Sequence, residues 1–142
     1  MIYIDTSSLL KLFHNETESG AIRDIVVRED EIVISSLVDL EARIQLKAAW
    51  VGGDYNHGRY LEFLKGLDEL REMAPFRFAA LTGSVFATAV RQDFTAARLH
   101  LRTLDRLHLA AMEELKLQRL MTNDNIQRAA AEDLGYAVII PR

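Results

Sequence analysis

The sequence contains no cysteine and only two prolines, and no long apolar run occurs in it. The absence of cysteine excludes thiolate zinc sites, cysteine nucleophiles and disulfides, which a domain of this size does not need in order to fold. The longest stretch without a charged residue, 78–90, spans 13 residues and is too short to cross a bilayer. Residues 1–4 lack the basic segment of a signal peptide. We therefore expect a protein of the reducing cytoplasm with no membrane span.

Positive charge is also scarce, since 17 Lys and Arg residues stand against 21 Asp and Glu residues for a net charge of −4. This balance argues against a general nucleic-acid coat protein, whose affinity requires an excess of cations facing the phosphates. It does not exclude an enzyme that acts on nucleic acid. Four acidic residues gathered at one metal site would account for the whole excess and leave room for a local basic rim.

Short apolar segments alternate with amphipathic ones along all 142 residues, with no linker, repeat or low-complexity tract. The pattern predicts one domain over 1–142 of the α/β class, with three α/β/α layers around a central, mainly parallel sheet of four to five strands. The predicted strands are 2–4, 32–34, an edge strand over 76–81, 120–121 and 137–140. The predicted helices run from 6 to 13 and over 17–28, 37–51, 54–73, 82–100 with a break near Asp93, 102–117 and 125–134.

Two aspartates follow predicted strands directly. Asp5 ends the first strand and Asp124 ends the fourth. In open parallel sheets, ligands bind outside the carboxyl ends of the strands, so the two carboxylates face one crevice if these strands are neighbours where the strand order reverses. Helix capping is an equally good explanation of each one alone.

Two further carboxylates fall on apolar helical stripes. Glu41 shares a stripe with Leu37, Leu40, Ile44 and Ala48, while Asp39 takes the polar side. Asp105 falls within the apolar arc of its helix, which contains Leu101, Leu104, His108, Leu109, Met112 and Leu115, whereas Arg102, Arg106 and Glu113 point away.

A carboxylate on a buried stripe must be paired, protonated or bound to a metal. A buried salt bridge is the plain alternative for Glu41 and Asp105. Together with Asp5 and Asp124, however, they favour one shared explanation, a hard divalent cation with oxygen ligands. His108 is expected to be a partly buried hydrogen-bonding residue beside that site.

The sequence resembles the PIN-domain family, and particularly the VapC-type toxins of toxin–antitoxin pairs. Four segments carry the resemblance in the family's order: 1–13 (MIYIDTSSLLKLF), 35–37 leading to Glu41, 101–111 (LRTLDRLHLAA) and 122–124 (TND) followed by Ala129-Ala130 and Leu134-Gly135. The resemblance covers essentially the whole chain. It implies a PIN-like fold and a metal-dependent endoribonuclease that leaves a 5′-phosphate and a 3′-hydroxyl.

Carried onto this sequence, the family's acidic constellation falls on Asp5, Glu41, Asp105 and Asp124, which the resemblance implies as catalytic ligands of Mg²⁺, with Mn²⁺ as a substitute. Thr6, Ser7 and Thr122 match the family's hydroxyl positions and would orient carboxylates or the attacking water. The resemblance also implies a homodimer and a small cognate antitoxin.

Four basic residues lie near the acidic ones and are candidates for holding an RNA backbone: Arg43, Lys47, Arg102 and Arg106. Solvated helix faces with i,i+4 ion pairs are at least as good an explanation of any one of them. Apolar side chains in excess of what a small sheet covers suggest a partner surface, with core packing as the alternative: Leu9, Leu12, Phe13, Ile22, Ile25, Tyr60, Phe63, Leu64, Leu67 and Leu70.

Two other functions deserve comparison with the nuclease. A PIN-like module that holds an antitoxin or RNA without cutting it would have no reason to keep two charges on apolar stripes. A phosphatase of the haloacid dehalogenase type would need a second aspartate two residues after Asp5, where this sequence has Ser7.

Overall fold

The computed structural model describes residues 1–96 and 100–142. Its strands are β1 (Ile2–Ile4), β2 (Ile32–Ser35), β3 (Phe76–Ala79), β4 (Arg119–Met121) and β5 (Ala137–Ile139). Its helices are α1 (Thr6–Leu10), α2 (Ser19–Val26), α3 (Ser36–Val51), α4 (His57–Leu70), α5 (Ser84–Thr95), α6 (Thr103–Glu114) and α7 (Asn125–Asp133). Strands and helices alternate, which confirms the predicted α/β class.

The five strands form one sheet in the order β3-β2-β1-β4-β5, and every neighbouring pair is parallel. The central strands β1 and β2 are buried along their whole length, as expected of continuous apolar runs covered by helices on both faces. The strand order reverses at β1, which pairs with β2 on one side and β4 on the other. The carboxyl ends of β1 and β4 therefore lie side by side. This is the arrangement that a shared crevice for Asp5 and Asp124 requires.

Several helix boundaries differ from the prediction. Helix α1 ends at Leu10 rather than at Phe13. Helix α4 begins at His57, because the side chain of Asn56 accepts a hydrogen bond from Arg59 N and caps the helix there. Helix α5 passes Asp93 without a break and ends at Thr95, while positions 97–99 of the predicted helix 82–100 lie outside the described residues.

The predicted apolar stripe of α3 is wrong. Leu40 and Ile44 are 54% and 59% exposed, and the helix buries Val38, Ala42 and Leu46 instead. Both stripes contain apolar residues, and helical periodicity alone does not say which one packs on the sheet. Glu41 lies at the border of the buried face, where its side chain is 18% exposed.

Helix α6 is buried on more of its circumference than an amphipathic surface helix. Every residue from Arg106 to Met112 is buried, whereas Leu104, predicted to face the core, is 46% exposed. The helix packs against α5 on its outer side. The prediction that Arg106 points to solvent is therefore wrong, and the prediction for Arg102, with 80% of its side chain exposed, is confirmed.

The apolar residues expected to form a partner surface belong to the core, which favours the core-packing alternative. Leu9, Ile22, Phe63 and Leu67 are buried, and the others pack partly buried against the same cluster. The large apolar side chains left exposed on α3, α5 and α6 are different ones: Leu40, Ile44, Val51, Phe86, Val90, Phe94 and Leu104. Within the described ranges, no helix combines the length and the apolar character needed to cross a membrane.

Candidate active site

The four acidic residues singled out in the sequence line one open cleft of about 390 Å³ at the carboxyl ends of β1 and β4. Its walls are formed by Asp5, Thr6, Ser7, Lys11, Glu41, Gln45, Arg102, Asp105, His108, Asn123, Asp124 and Gln127. Four carboxylates face two cations, Lys11 and Arg102, so the cleft is acidic with a basic margin.

Asp5 lies deepest in the cleft and is 9% exposed. It caps α1, since its Oδ1 accepts a hydrogen bond of 2.8 Å from Ser8 N, and its Oδ2 accepts one of 2.5 Å from Thr122 Oγ1. Burial raises the pKa of Asp5 above its ordinary value, although these hydrogen bonds act in the opposite direction. No Lys, Arg or His lies within ion-pair distance of it among the described residues, so the charge of its carboxylate is uncompensated by the protein.

Glu41 reaches the cleft from α3. Its Oε1 accepts a hydrogen bond of 2.9 Å from Thr6 Oγ1 and contacts Nε2 of His108. Burial opposes ionisation of Glu41, but the hydrogen bonds from His108 and Thr6 and the attraction to the Arg102 guanidinium outweigh it, and the pKa of Glu41 is lowered. The carboxylate is therefore ionised at neutral pH.

Asp105 and Asp124 stand at the beginnings of α6 and α7. Asp105 Oδ2 accepts a hydrogen bond of 3.2 Å from Arg102 Nε. Asp124 caps α7, because its Oδ1 accepts hydrogen bonds of 2.8 Å from Ile126 N and 2.9 Å from Gln127 N. The position of Asp124 is therefore compatible with both explanations, helix capping and a place in a metal site, since it caps a helix and lines the cleft.

The hydroxyl residues expected beside the carboxylates divide into two groups. Thr6 donates to Glu41, while Thr122 donates to Asp5 and accepts a hydrogen bond of 3.0 Å from Asp124 N. Thr6 and Thr122 are buried; Thr6 holds one oxygen of Glu41, and Thr122 joins the Asp5 carboxylate to the backbone of Asp124. Ser7 is exposed in the wall of the cleft.

The four candidate RNA contacts are not equivalent. Arg102 lies in the cleft wall. Lys47 is exposed on α3, away from the residues that line the cleft. Arg43 is engaged by two carboxylates, Asp39 at 2.9 Å and Asp68 at 2.7 Å, which fulfils the i,i+4 pairing alternative.

Arg106 lies inside the protein, where only 6% of its surface is exposed. Its Nη1 lies 3.4 Å from Gln92 Oε1 of α5. A guanidinium buried between two helices does not reach a phosphate. The prediction that Arg106 is a candidate RNA contact is therefore wrong.

Four cleft residues were missed by the sequence analysis: Lys11, Gln45, Asn123 and Gln127. Asn123 directly precedes Asp124, and each of the other three lies three or four positions after a predicted site residue, namely Ser7, Glu41 and Asp124. The i+3 and i+4 spacing that places side chains on one helix face was the available signal. Gln127 also links two helices of the site, since its Nε2 donates to the Asp105 carbonyl at 3.1 Å.

The cleft suits a hard divalent cation, because its lining offers carboxylate, hydroxyl and amide oxygens as ligands. Glu41, Asp105 and Asp124 each have one carboxylate oxygen held by a protein donor, and no described protein donor reaches the other oxygen. Gln127 Oε1 is a buried acceptor with no hydrogen-bond partner in the described part of the chain. Residues 1–96 and 100–142 nevertheless contain no three acidic or histidine side chains already spaced to share one ion. The residues fit a cation chemically, but the ligand shell is not preassembled.

Comparisons with known proteins agree with this fold and this cleft. A family model described as PIN domain matches residues 2–133. Ribonuclease VapC46 of Mycobacterium tuberculosis is 34% identical over 142 residues, which cover 99% of this chain and 97% of that protein.

Two solved structures show the same fold at low sequence identity. VapC20 of Mycobacterium tuberculosis, a Sarcin-Ricin loop cleaving toxin, matches with a TM-score of 0.71 and 17% identity over 92% of this chain and 95% of its own. A toxin–antitoxin complex from Klebsiella pneumoniae matches with a TM-score of 0.68 and 16% identity over 100% and 98%. The family model covers residues 2–133, and the VapC46 relative aligns with this chain almost from end to end. This chain therefore belongs to the PIN domain family.

Proposed function

We propose that residues 1–142 act as a single Mg²⁺-dependent endoribonuclease domain, the toxin of a VapBC-type toxin–antitoxin pair. The observation that carries the proposal is the cleft where the strand order reverses, because it gathers Asp5, Glu41, Asp105 and Asp124 from four separate parts of the chain. The relationship to a VapC ribonuclease at 34% identity supports RNA as the substrate.

The four carboxylates are the groups that would hold Mg²⁺, or Mn²⁺ in its place. A bound divalent cation supplies Lewis-acid activation of a phosphodiester and lowers the pKa of a water that attacks it. Asp5 is the natural main ligand, since it is buried and no cation lies within ion-pair distance of it among the described residues. Asp105, Glu41 and Asp124 each offer one free oxygen from the cleft wall.

The hydroxyls of Thr6 and Thr122 keep Glu41 and Asp5 oriented toward the cleft. Arg102, whose side chain is 80% exposed, is the cation placed to neutralise RNA phosphates beside the carboxylates, whereas Lys11 lines the cleft but is paired with Glu18 at 3.2 Å. Lys47 extends this surface only if the RNA continues over α3. Cleavage by an activated water requires no side-chain nucleophile, and its products would be a 5′-phosphate and a 3′-hydroxyl. An RNA substrate implies the cytoplasm as the place of action.

A small antitoxin is the proposed protein partner. The structural match to a toxin–antitoxin complex supports it, and the acidic cleft is suited to receive a basic side chain from such a partner. An antitoxin arginine that reached these carboxylates would compensate their charge and block cation binding at once.

A second copy of this chain is the proposed occupant of a separate apolar groove between α3 and α5. The groove has a volume of about 340 Å³ and contains Leu37, Leu40, Val85 and Phe86 in its lining. Leu40 and Phe86 are 54% and 61% exposed, and exposed apolar side chains of this size mark an interface. A homodimer by light scattering that dissociates in Phe86→Asp supports this part of the proposal, and a wild-type monomer contradicts it.

The nuclease proposal is tested by incubating the purified protein with total RNA in the presence of Mg²⁺ or EDTA and mapping the cut ends. Asp105→Asn removes one cleft carboxylate, and Asp24→Asn removes an exposed carboxylate outside the cleft as a matched control. Cleavage by wild type and Asp24→Asn with Mg²⁺, and its loss in EDTA and in Asp105→Asn, would support the proposal. RNA or antitoxin binding without any cut would show instead that the domain is a PIN-like binding module.

A further inference from the structure

A continuous row of hydrogen bonds leads from the centre of the sheet to the cleft. Ser35 Oγ lies 2.8 Å from Tyr3 Oη, and Tyr3 Oη lies 2.7 Å from His108 Nδ1. The other ring nitrogen, His108 Nε2, contacts Glu41 Oε1. Ser35 and Tyr3 are fully buried and His108 is 5% exposed, so water does not replace these contacts. The row joins β2, β1, α6 and α3; His108 and Glu41 line the cleft, and Glu41 keeps one oxygen without a donor among the described residues.

When Tyr3 donates to His108, every member of this row has both its donor and its acceptor partner. Val38 N donates to Ser35 Oγ at 3.2 Å, so the Ser35 hydroxyl proton is available to Tyr3 Oη. Burial raises the pKa of Tyr3 well above its ordinary value, and the phenol keeps its proton and donates it to His108 Nδ1. A neutral imidazole that accepts at Nδ1 carries its own proton at Nε2. His108 therefore presents an N–H to Glu41.

The carboxylate of Glu41 is fixed through a single oxygen. Oε1 accepts from both His108 Nε2 and Thr6 Oγ1, the latter at 2.9 Å. A glutamate side chain has three rotatable bonds and loses rotamer freedom when it binds a ligand. Two buried donors on Oε1 remove that freedom beforehand, and they leave Oε2 without a donor among the described residues.

We propose that Tyr3 and His108 are positioning residues that hold Glu41 with its Oε2 turned to the cleft, ready for a divalent cation or its bound water. This inference rests on the proposed nuclease function and adds two residues to its acidic set. Tyr3 acts through His108, and His108 acts through Glu41. A purely structural role for the pair would affect folding stability and leave cation affinity unchanged.

Mn²⁺ affinity of the purified protein, followed by the electron paramagnetic resonance signal of free Mn²⁺, tests the proposal without RNA. His108→Leu removes the donor to Glu41, and affinity should fall roughly tenfold to a hundredfold, the usual effect of losing a residue that orients a metal ligand. His108→Gln keeps an amide N–H near the position of Nε2 and should retain most of the affinity. Tyr3→Phe removes only the proton given to Nδ1 and should have a smaller effect than His108→Leu.

Tyr55→Phe is the matched control for Tyr3→Phe, because the Tyr55 hydroxyl donates to the Leu46 carbonyl at 2.6 Å and not to a cleft carboxylate. Its Mn²⁺ affinity should equal that of wild type. A nitrogen-15 NMR spectrum of the wild-type histidines gives a second readout, which does not depend on any variant folding. It should show the His108 proton on Nε2.

The outcomes separate this inference from the proposed function. Equal Mn²⁺ affinity in wild type, Tyr3→Phe and His108→Gln, together with unchanged affinity in a folded His108→Leu, would overturn the positioning role alone. An Nε2 without a proton would overturn it as well. A wild-type protein that binds no Mn²⁺ would refute the proposed metal-dependent nuclease and this inference with it.

Discussion

Replacing Asp124 should separate its role as a helix cap from its proposed role in the cleft. An asparagine oxygen can accept the same two hydrogen bonds, from Ile126 N at 2.8 Å and Gln127 N at 2.9 Å. Asp124→Asn then loses only the attraction between a negative charge and the N-terminus of α7, about 0.3–1 kcal/mol. Asp124→Ala loses this term and the cap itself, which contributes about 0.5–2 kcal/mol.

These free energies translate into distinct melting temperatures. For a chain of this length, 1 kcal/mol corresponds to a shift of about 4 °C. We therefore expect a loss of about 1–4 °C in Asp124→Asn and about 3–12 °C in Asp124→Ala, measured by thermal denaturation. Both variants should lose RNA cleavage by about a hundredfold or more, because Lewis-acid stabilisation of a transition state is worth several kcal/mol and each 1.4 kcal/mol is about tenfold in rate.

Asn56→Ala is the matched control for the capping term. The Asn56 side chain accepts a hydrogen bond of 2.8 Å from Arg59 N and caps α4, and it does not line the cleft. This variant should melt earlier by about 2–8 °C and cleave RNA like wild type. Full activity in Asp124→Asn would show that Asp124 is a helix cap alone, and a large activity loss in Asn56→Ala would show that stability rather than chemistry limits the assay.

Three further predictions concern charge. Because burial raises the pKa of Asp5, the folded state binds the proton of this carboxyl more tightly than the unfolded chain does. In EDTA, the free energy of unfolding should therefore fall as the pH rises from the ordinary pKa of Asp through the raised pKa of Asp5. Urea denaturations over a series of pH values should show this fall in wild type and not in Asp5→Asn. Equal pH profiles of the two proteins would count against the buried charge. Mn²⁺ should raise the melting temperature of wild type compared with Na⁺ at the same ionic strength. At a Mn²⁺ concentration of ~100 times the dissociation constant, the stabilisation reaches about 2.7 kcal/mol. The shift should be smaller in Asp105→Asn, and shifts of equal size would remove Asp105 from the set of ligands. Arg102→Ala should weaken RNA binding and reduce its salt dependence by about one phosphate contact. Arg43 is paired with two carboxylates in the wild type, so Arg43→Ala should bind RNA as wild type does. Filter-binding titrations at several salt concentrations measure both, and equal losses of affinity would contradict the assignment.

Local patterns in the sequence were sufficient to predict the alternation of strands and helices and the positions of Asp5 and Asp124 at strand ends. Asp5 and Asp124 follow apolar runs that are buried strands, and the short polar segments after them begin helices. These features depend on neighbours within a few residues, such as a side-chain oxygen that meets the backbone N–H two or three positions later. For that reason the strand ends and their carboxylates were predictable without knowledge of the packing.

Only the tertiary structure decided which faces of the helices pack and which side chains meet across the chain. Helix α3 carries two apolar stripes, and packing against the sheet selected the one with Ala42 and left Ile44 exposed. Helix α6 packs closely against α5, so Arg106 is buried although its spacing placed it on the outer face. Tyr3 and His108 are 105 positions apart in sequence and 2.7 Å apart in space. Helical and strand periodicity specify directions within one element, whereas the contacts that hold Glu41 in place depend on how four elements are arranged around β1.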